Sequence, residues 1–135
     1  MKKLWLGAPL SALLGVVMAM PAIGADIPKG DHYVCYPIKG VAFKAREVSF
    51  KDQFGTWKVT IVRPVQLCAP ASKQIVVAKP EPVINDKLHM VCYEIKQDGK
   101  KTPLVQTTDQ FGSLKFQGYP ATTVCLPAGM SLLKQ

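Results

Sequence analysis

Four cysteines and two histidines carry most of the chemical potential of this chain, and they recur at fixed spacing. His32 stands three residues before Cys35, and His89 three before Cys92; Cys68 and Cys125 each follow 33 residues after the first cysteine of their pair. Imidazole and thiolate are common zinc ligands, so a metal-handling protein built on His32, His89 and unpaired cysteines is one reading. Two observations weigh against it. No Cys-x-x-Cys is present, and residues three apart on a strand point to opposite faces. Oxidised, the same four cysteines form two disulfides, as expected of a small exported chain. Within-copy bonds, Cys35–Cys68 and Cys92–Cys125, are favoured because each would staple the first strand of a unit to its last. A swapped Cys35–Cys125 with Cys68–Cys92 stays open, as does Cys35–Cys92 with Cys68–Cys125.

The other recurring constellation is Asp-Gln-Phe-Gly, at Asp52, Gln53, Phe54, Gly55 and again at Asp109, Gln110, Phe111, Gly112. It reads as a hairpin turn. The aspartate accepts from backbone two residues on, and the glycine supplies a positive φ. Phe54 and Phe111 are expected to tuck beneath the hairpins as plugs. The functional alternative gathers Asp52, Gln53, Asp109 and Gln110 at one end as a composite polar site. Catalysis finds little support. Gly-x-Ser-x-Gly, phosphate-loop and dinucleotide signatures are absent, and both histidines belong to the repeated signature. Residues common to the copies are mostly core, turn and disulfide types, whereas active sites on duplicated scaffolds usually break the symmetry. The chain is therefore not expected to be an enzyme, and no catalytic, metal or cofactor-binding residue, nor any cofactor, is assigned. An envelope enzyme with a site between the copies is the alternative.

These residues are positioned by an internal repeat. At an offset of 57, His32–Lys39 aligns with His89–Lys96, Asp52–Gly55 with Asp109–Gly112, and Cys68–Ala71 with Cys125–Ala128. Three separate blocks in one register establish a duplication. Periodicity of two marks strands: Val34, Tyr36 and Ile38 share a face, as do Val91, Tyr93 and Ile95, and similar alternation runs through Val48–Phe50, Trp57–Ile61 and Leu114–Phe116. The expected fold is all-β, two homologous β-meanders packed into one small disulfide-stapled sandwich or barrel. Repeat 1 spans 30–79 and repeat 2 spans 88–135. Between them, residues 80–87 carry Pro80 and Pro82 and read as a semi-rigid linker.

Residues 1–25 read as a signal peptide. Lys2 and Lys3 precede an uncharged apolar stretch that closes on Pro21 and small residues. Cleavage after Gly24 or Ala25 is expected, and no lipobox cysteine is near. That places the chain in the periplasm or outside the cell, without a transmembrane segment after processing. The formal charge is +8, of which the leader's two lysines supply two. An anionic envelope or glycan surface would suit this excess. Its lysines are scattered, however, and only Arg46 and Arg63 are arginines, so a nucleic-acid partner is not expected.

The pattern His-x-x-Cys-Tyr-x-x-Lys, then Asp-Gln-Phe-Gly, then Leu-Cys-x-Pro-Ala resembles a repeat of secreted bacterial proteins, a family defined only as a domain of unknown function. It stands here as His32, Cys35, Tyr36, Lys39, then Asp52–Gly55, then Leu67, Cys68, Pro70, Ala71. The second copy follows it with Val124 in place of the leucine. The resemblance implies export and a disulfide-stapled repeat, and it brings no activity. The expected function is a non-catalytic binding or structural module of the bacterial envelope or exterior.

Overall fold

In copy 1 the strand that carries Trp57 does not stop at Ile61. It runs on to Ala71 as one 17-residue strand that organises the whole sheet, although its buried–exposed alternation breaks at Arg63 and Pro64. The computed structural model describes residues 27–135 except Asp98, together with Gly7 and Gly15; the rest of the expected leader lies outside the described residues. The strands are β1 (His32–Pro37), β2 (Arg46–Asp52), β3 (Gly55–Ala71), β4 (His89–Lys96), β5 (Leu104–Asp109), β6 (Gly112–Gln117) and β7 (Thr123–Ala128). Among the described residues there is no helix, and so none long and apolar enough to cross a membrane.

Both neighbours from its own copy lie along one edge of β3. Its first half pairs with β2, from Asp52↔Gly55 to Arg46↔Ile61. Its second half pairs with β1, from Pro37↔Gln66 to His32↔Ala71. The connection 38–45 carries the chain from one half of β3 to the other, and Ile38 N donates to Val65 O at 2.9 Å where the partners change over. The opposite edge of β3 pairs with β4, from Thr60↔Lys96 to Cys68↔Met90. That ladder slips around Arg63 and Pro64, as expected where a proline removes a donor from a central strand. Finally β7 adds to the far edge of β4. The two copies thus share one five-stranded sheet ordered β1-β3-β4-β7, with β2 beside β3, while β5–β6 forms a separate two-stranded sheet. The fold is all-β and sandwich-like; the barrel does not close. Because β1 passes over β2 to reach β3, copy 1 is not a simple meander.

Copy 2 departs from copy 1 at one place with a legible cause. The residues equivalent to Ile61 and Arg63 are Gly118 and Pro120, so the long strand breaks into β6 and β7. Gly118 is held closely: its N–H donates to Thr102 Oγ1 at 2.7 Å, and Thr102 N donates to Gly118 O at 2.8 Å. A Cβ on Gly118 would lie 2.9 Å from Thr102 Cγ2. The break frees the β5–β6 hairpin from the main sheet, whereas its counterpart β2–β3 stays in it.

The core lies on one face of the sheet. Val59, Ile61 and Ile95 are buried, with Val48, Phe50, Trp57, Tyr93, Val124 and Phe43 packed around them. Phe43 and Tyr93 rings stand 5.4 Å apart. Cross-strand partners build this cluster: Val48 faces Val59, Phe50 faces Trp57, and Ile61 faces Ile95. Three buried aliphatic side chains contribute only ~1.5–3 kcal/mol each. The disulfides lie on the other face and weigh as much, at ~3.5 kcal/mol each on the chain-entropy account. They are Cys35–Cys68 and Cys92–Cys125, the within-copy pairing, and each joins residues directly opposite on neighbouring strands.

Replacing Gly118 by Ala should destabilise the protein by ~1–3 kcal/mol through overpacking against Thr102. Gly129→Ala, where the added carbon meets nothing within 4 Å, should be near neutral. Urea titration of both variants checks this, and equal midpoints would contradict the stated cause of the strand break.

Candidate functional site

Where the copy 1 hairpin meets the β4–β7 end of copy 2, the core face opens into a cleft of about 180 Å³. Aromatic side chains dominate its walls. Phe50 and Trp57 come from paired positions of β2 and β3, Phe54 from the turn between them, and Tyr119 from the segment where copy 2 breaks its strand. Asp52, Gln97, Lys100, Thr102 and Thr123 supply the polar groups. Three of these are already engaged, Thr102 by donating to Pro103 O and accepting from Gly118 N. Asp52 Oδ1 accepts from Phe54 N at 2.8 Å and from Gly55 N at 3.2 Å, and Gln97 Nε2 donates to Ala121 O at 3.0 Å. What remains is an aromatic slot with Lys100 and Thr123 on its lining. It is smaller than the ~300–1,000 Å³ of ordinary small-molecule pockets, so it suits one ring or one side chain. A larger hollow of about 650 Å³ lies over the opposite face, lined by Glu47, Ser49, Lys58, Thr60 and Lys96. These are the outward residues of the strand alternation, and the hollow is the open saddle of a twisted sheet.

Both Asp-Gln-Phe-Gly segments form two-residue hairpin loops, with Asp52↔Gly55 and Asp109↔Gly112 as closing pairs. Asp109 Oδ1 accepts from Phe111 N at 2.8 Å, as Asp52 does from Phe54 N. Gly55 has φ 149° and Gly112 φ 125°, where side chains are strained. The expected aromatic plugs are a correction. Phe54 is 41% exposed and Phe111 79% exposed, because a loop this tight turns its second residue outward and leaves no underside to fill. Phe54 instead walls the cleft. Phe111 lies beneath the Lys73 ammonium, 5.1 Å from the ring centre, a cation–π contact. Lys73 Nζ finds no hydrogen-bond partner among the described residues and sits 3.7 Å from Glu81 Oε2. Gln53 and Gln110 are exposed at the loop tips. The cleft includes Asp52 but not Asp109, so the composite polar site does not assemble there: the freed β5–β6 hairpin carries Asp109 and Gln110 off the main sheet.

The histidines part company too. His32 Nε2 and Glu81 Oε2 are 2.6 Å apart, tying the start of β1 to the linker. Next to it, Asp31 accepts from Ile84 N at 2.5 Å and Asn85 N at 2.8 Å, and Lys73 and Glu81 exchange backbone hydrogen bonds. His89 is buried, with Nδ1 3.4 Å from Lys87 O. All four cysteines are disulfide-bonded, and no group of three or more metal-ligating side chains occurs among the described residues. Cys68 Sγ and Cys92 Sγ lie 3.5 Å apart. Neither carries a hydrogen, so this is a van der Waals contact between disulfides. The sequence did not point to the aromatic cleft, because Trp57, Tyr119 and Lys100 come together only through closure of the shared sheet; the one trace is the unmatched Gly118-Tyr119-Pro120 in copy 2.

Hydrogen bonding from His32 holds the Glu81 carboxyl below its ordinary value of 4.5, with partial desolvation opposing and the Lys73 charge assisting. A carboxyl lowered by folding stabilises the fold above its unfolded-state pKa, and that contribution is lost as pH falls through the lower folded value. An NMR titration should find the Glu81 midpoint below 4.5, moving upward in His32→Ala. A midpoint at or above that value in the unaltered chain would contradict the clamp.

A family model described as a repeat of unknown function, DUF7450, matches residues 6–126. Neither the curated proteins nor the solved structures give a match. Covering nearly the whole chain and both copies of the cysteine-bearing unit, the match shows that the protein belongs to the DUF7450 repeat family.

Proposed function

We propose that the chain is an exported, non-catalytic module of the bacterial envelope or exterior that works through its surface. One observation carries this: the groups best suited to chemistry are already engaged in holding the fold. Asp52 and Asp109 close their turns, the four cysteines form the cross-strand staples, and His32 clamps the linker through Glu81. In the aromatic cleft between the copies the carboxylate of Asp52 is committed to backbone. A metal-handling role would require opening the disulfides. The same disulfides suit an oxidising compartment, and the positively charged start followed by an apolar stretch supplies a route there. Surface binding of anionic headgroups or acidic glycans by the scattered lysines fits this reading as a weak, salt-sensitive association.

Expressed with its own N-terminus in an exporting bacterial host, the protein should have an intact mass lacking the first 24 or 25 residues. Its mass should also fall four hydrogens below the reduced form. Retained Lys2 and Lys3, or four thiols open to alkylation in the native protein, would overturn the assignment.

A further inference from the structure

The repeat leaves the sheet with two ends that match each other. Inside the chain the copies are joined along β3–β4, where Gln66 faces Cys92, Leu67 faces Val91 and Cys68 faces Met90. The outer edge of β7 is the repeat equivalent of the β3 edge that receives β4, because β7 pairs with β4 in the register in which β3 pairs with β1. By the same mapping, the outer edge of β1 is equivalent to the β4 edge that docks on β3. β1 and β7 end the sheet, and among the described residues their outer edges pair with no other strand.

We propose that this module associates head to tail with further copies of itself, β7 of one chain receiving β1 of the next. The inference rests on the surface-module reading and names its partner. Shifting the internal register by the repeat offset sets Thr123 against Cys35 of the next copy, Val124 against its Val34, and Cys125 against its Tyr33. The chemistry at the two edges is that of the internal junction before closure. Val34 is 47% exposed, while its equivalent Val91 is half-buried in the junction. Cys35 and Cys125 are exposed, whereas their equivalents Cys92 and Cys68 are each 1% exposed.

The hydrogen-bonding phase agrees. The disulfide-linked pairs have Cα atoms 4.0 and 3.9 Å apart, the close spacing of non-hydrogen-bonded antiparallel pairs. The N–H and C=O of Cys35 and Cys125 therefore point away from their disulfide partners, toward the open edges, and so do those of Tyr33 and Thr123, two residues away. Such an interface repeats without closing, which produces open strings of subunits. Its length is bounded. The ion pair Arg63–Glu94, 2.7 Å across the internal junction, has Pro120 and Pro37 as its equivalents. The ladder between chains thus lacks that pair and stops short, as prolines at sheet edges enforce, so association is weak and concentration-dependent.

The test uses the full oxidised chain as secreted. Sedimentation velocity from micromolar to millimolar concentration should show a rising mean mass. Hydrogen exchange at the high end should gain protection at the amides of Tyr33, Cys35, Thr123 and Cys125. Thr123→Pro removes an outward donor at the first residue of β7 and should abolish both effects; if it does not fold, Val34→Lys tests the other edge. A monomer throughout, protection confined to other segments such as β5–β6, or association that survives both variants would overturn the proposal. So would protection of these amides that appears only with an added unrelated extended peptide, which would assign the edges to a foreign strand. A monomer that is nonetheless processed and oxidised would leave the module reading intact.

Discussion

The antiparallel pairing of β3 with β4 sets the constraint on which everything else depends. The buried cluster draws on both copies: copy 1 supplies Val59 and Ile61, copy 2 supplies Ile95, and their juxtaposition closes it. The same pairing brings the two disulfides into contact across the sheet, Cys68 against Cys92 at 3.5 Å. Each disulfide ties one outer strand to the central pair. The arrangement is a small repeat array in miniature, in which a unit contacts its neighbour and gains its core from it. A chain with so few buried aliphatic residues depends on such staples more than a larger domain does.

Duplication has not kept the copies equivalent. In copy 1 the hairpin is extended by β3 and becomes part of the main sheet. In copy 2, Gly118 and Pro120 interrupt the corresponding strand, Thr102 fills the space beside Gly118, and β5–β6 forms a two-stranded sheet of its own. That asymmetry has two consequences for function. Tyr119 is turned toward the copy 1 hairpin to complete the aromatic cleft, and the freed hairpin leaves Leu104, Leu114 and Phe116 exposed. Its tip is held through Phe111 under Lys73, next to Glu81 and His32. The linker, turn and first strand are thereby tied by charged and polar contacts where the apolar core does not reach.

Much of this was legible in the residues. The strand alternation, the register of the repeat and the turn role of Asp52 and Asp109 are local properties, set by side-chain period and by backbone geometry within a few residues. The strand partners were not. Whether β1 pairs with β2 or with β3 depends on the long ladder of β3, and nothing in the alternation of Val34, Tyr36 and Ile38 distinguishes the two. The position of Phe54 and Phe111 escapes the sequence for a related reason: an aromatic in a turn looks like a plug until the loop proves too short to have an interior. Pro80 and Pro82 mark a semi-rigid linker, yet Asp31 and His32 fasten it by contacts about 50 residues apart in sequence, which no local pattern encodes.

The claim that two copies form one sheet, and not two stapled units on a tether, is tested most directly by cross-strand proton contacts. Cys68↔Met90 and Gln66↔Cys92 are the hydrogen-bonded pairs of the junction, so Leu67 and Val91 form the close, non-hydrogen-bonded pair between them. An NMR spectrum of the oxidised protein should show an Hα–Hα contact between Leu67 and Val91, alongside those of Cys35 with Cys68 and Cys92 with Cys125. If the two within-copy contacts are present and the Leu67–Val91 contact is missing, the copies are separate units and the account is wrong.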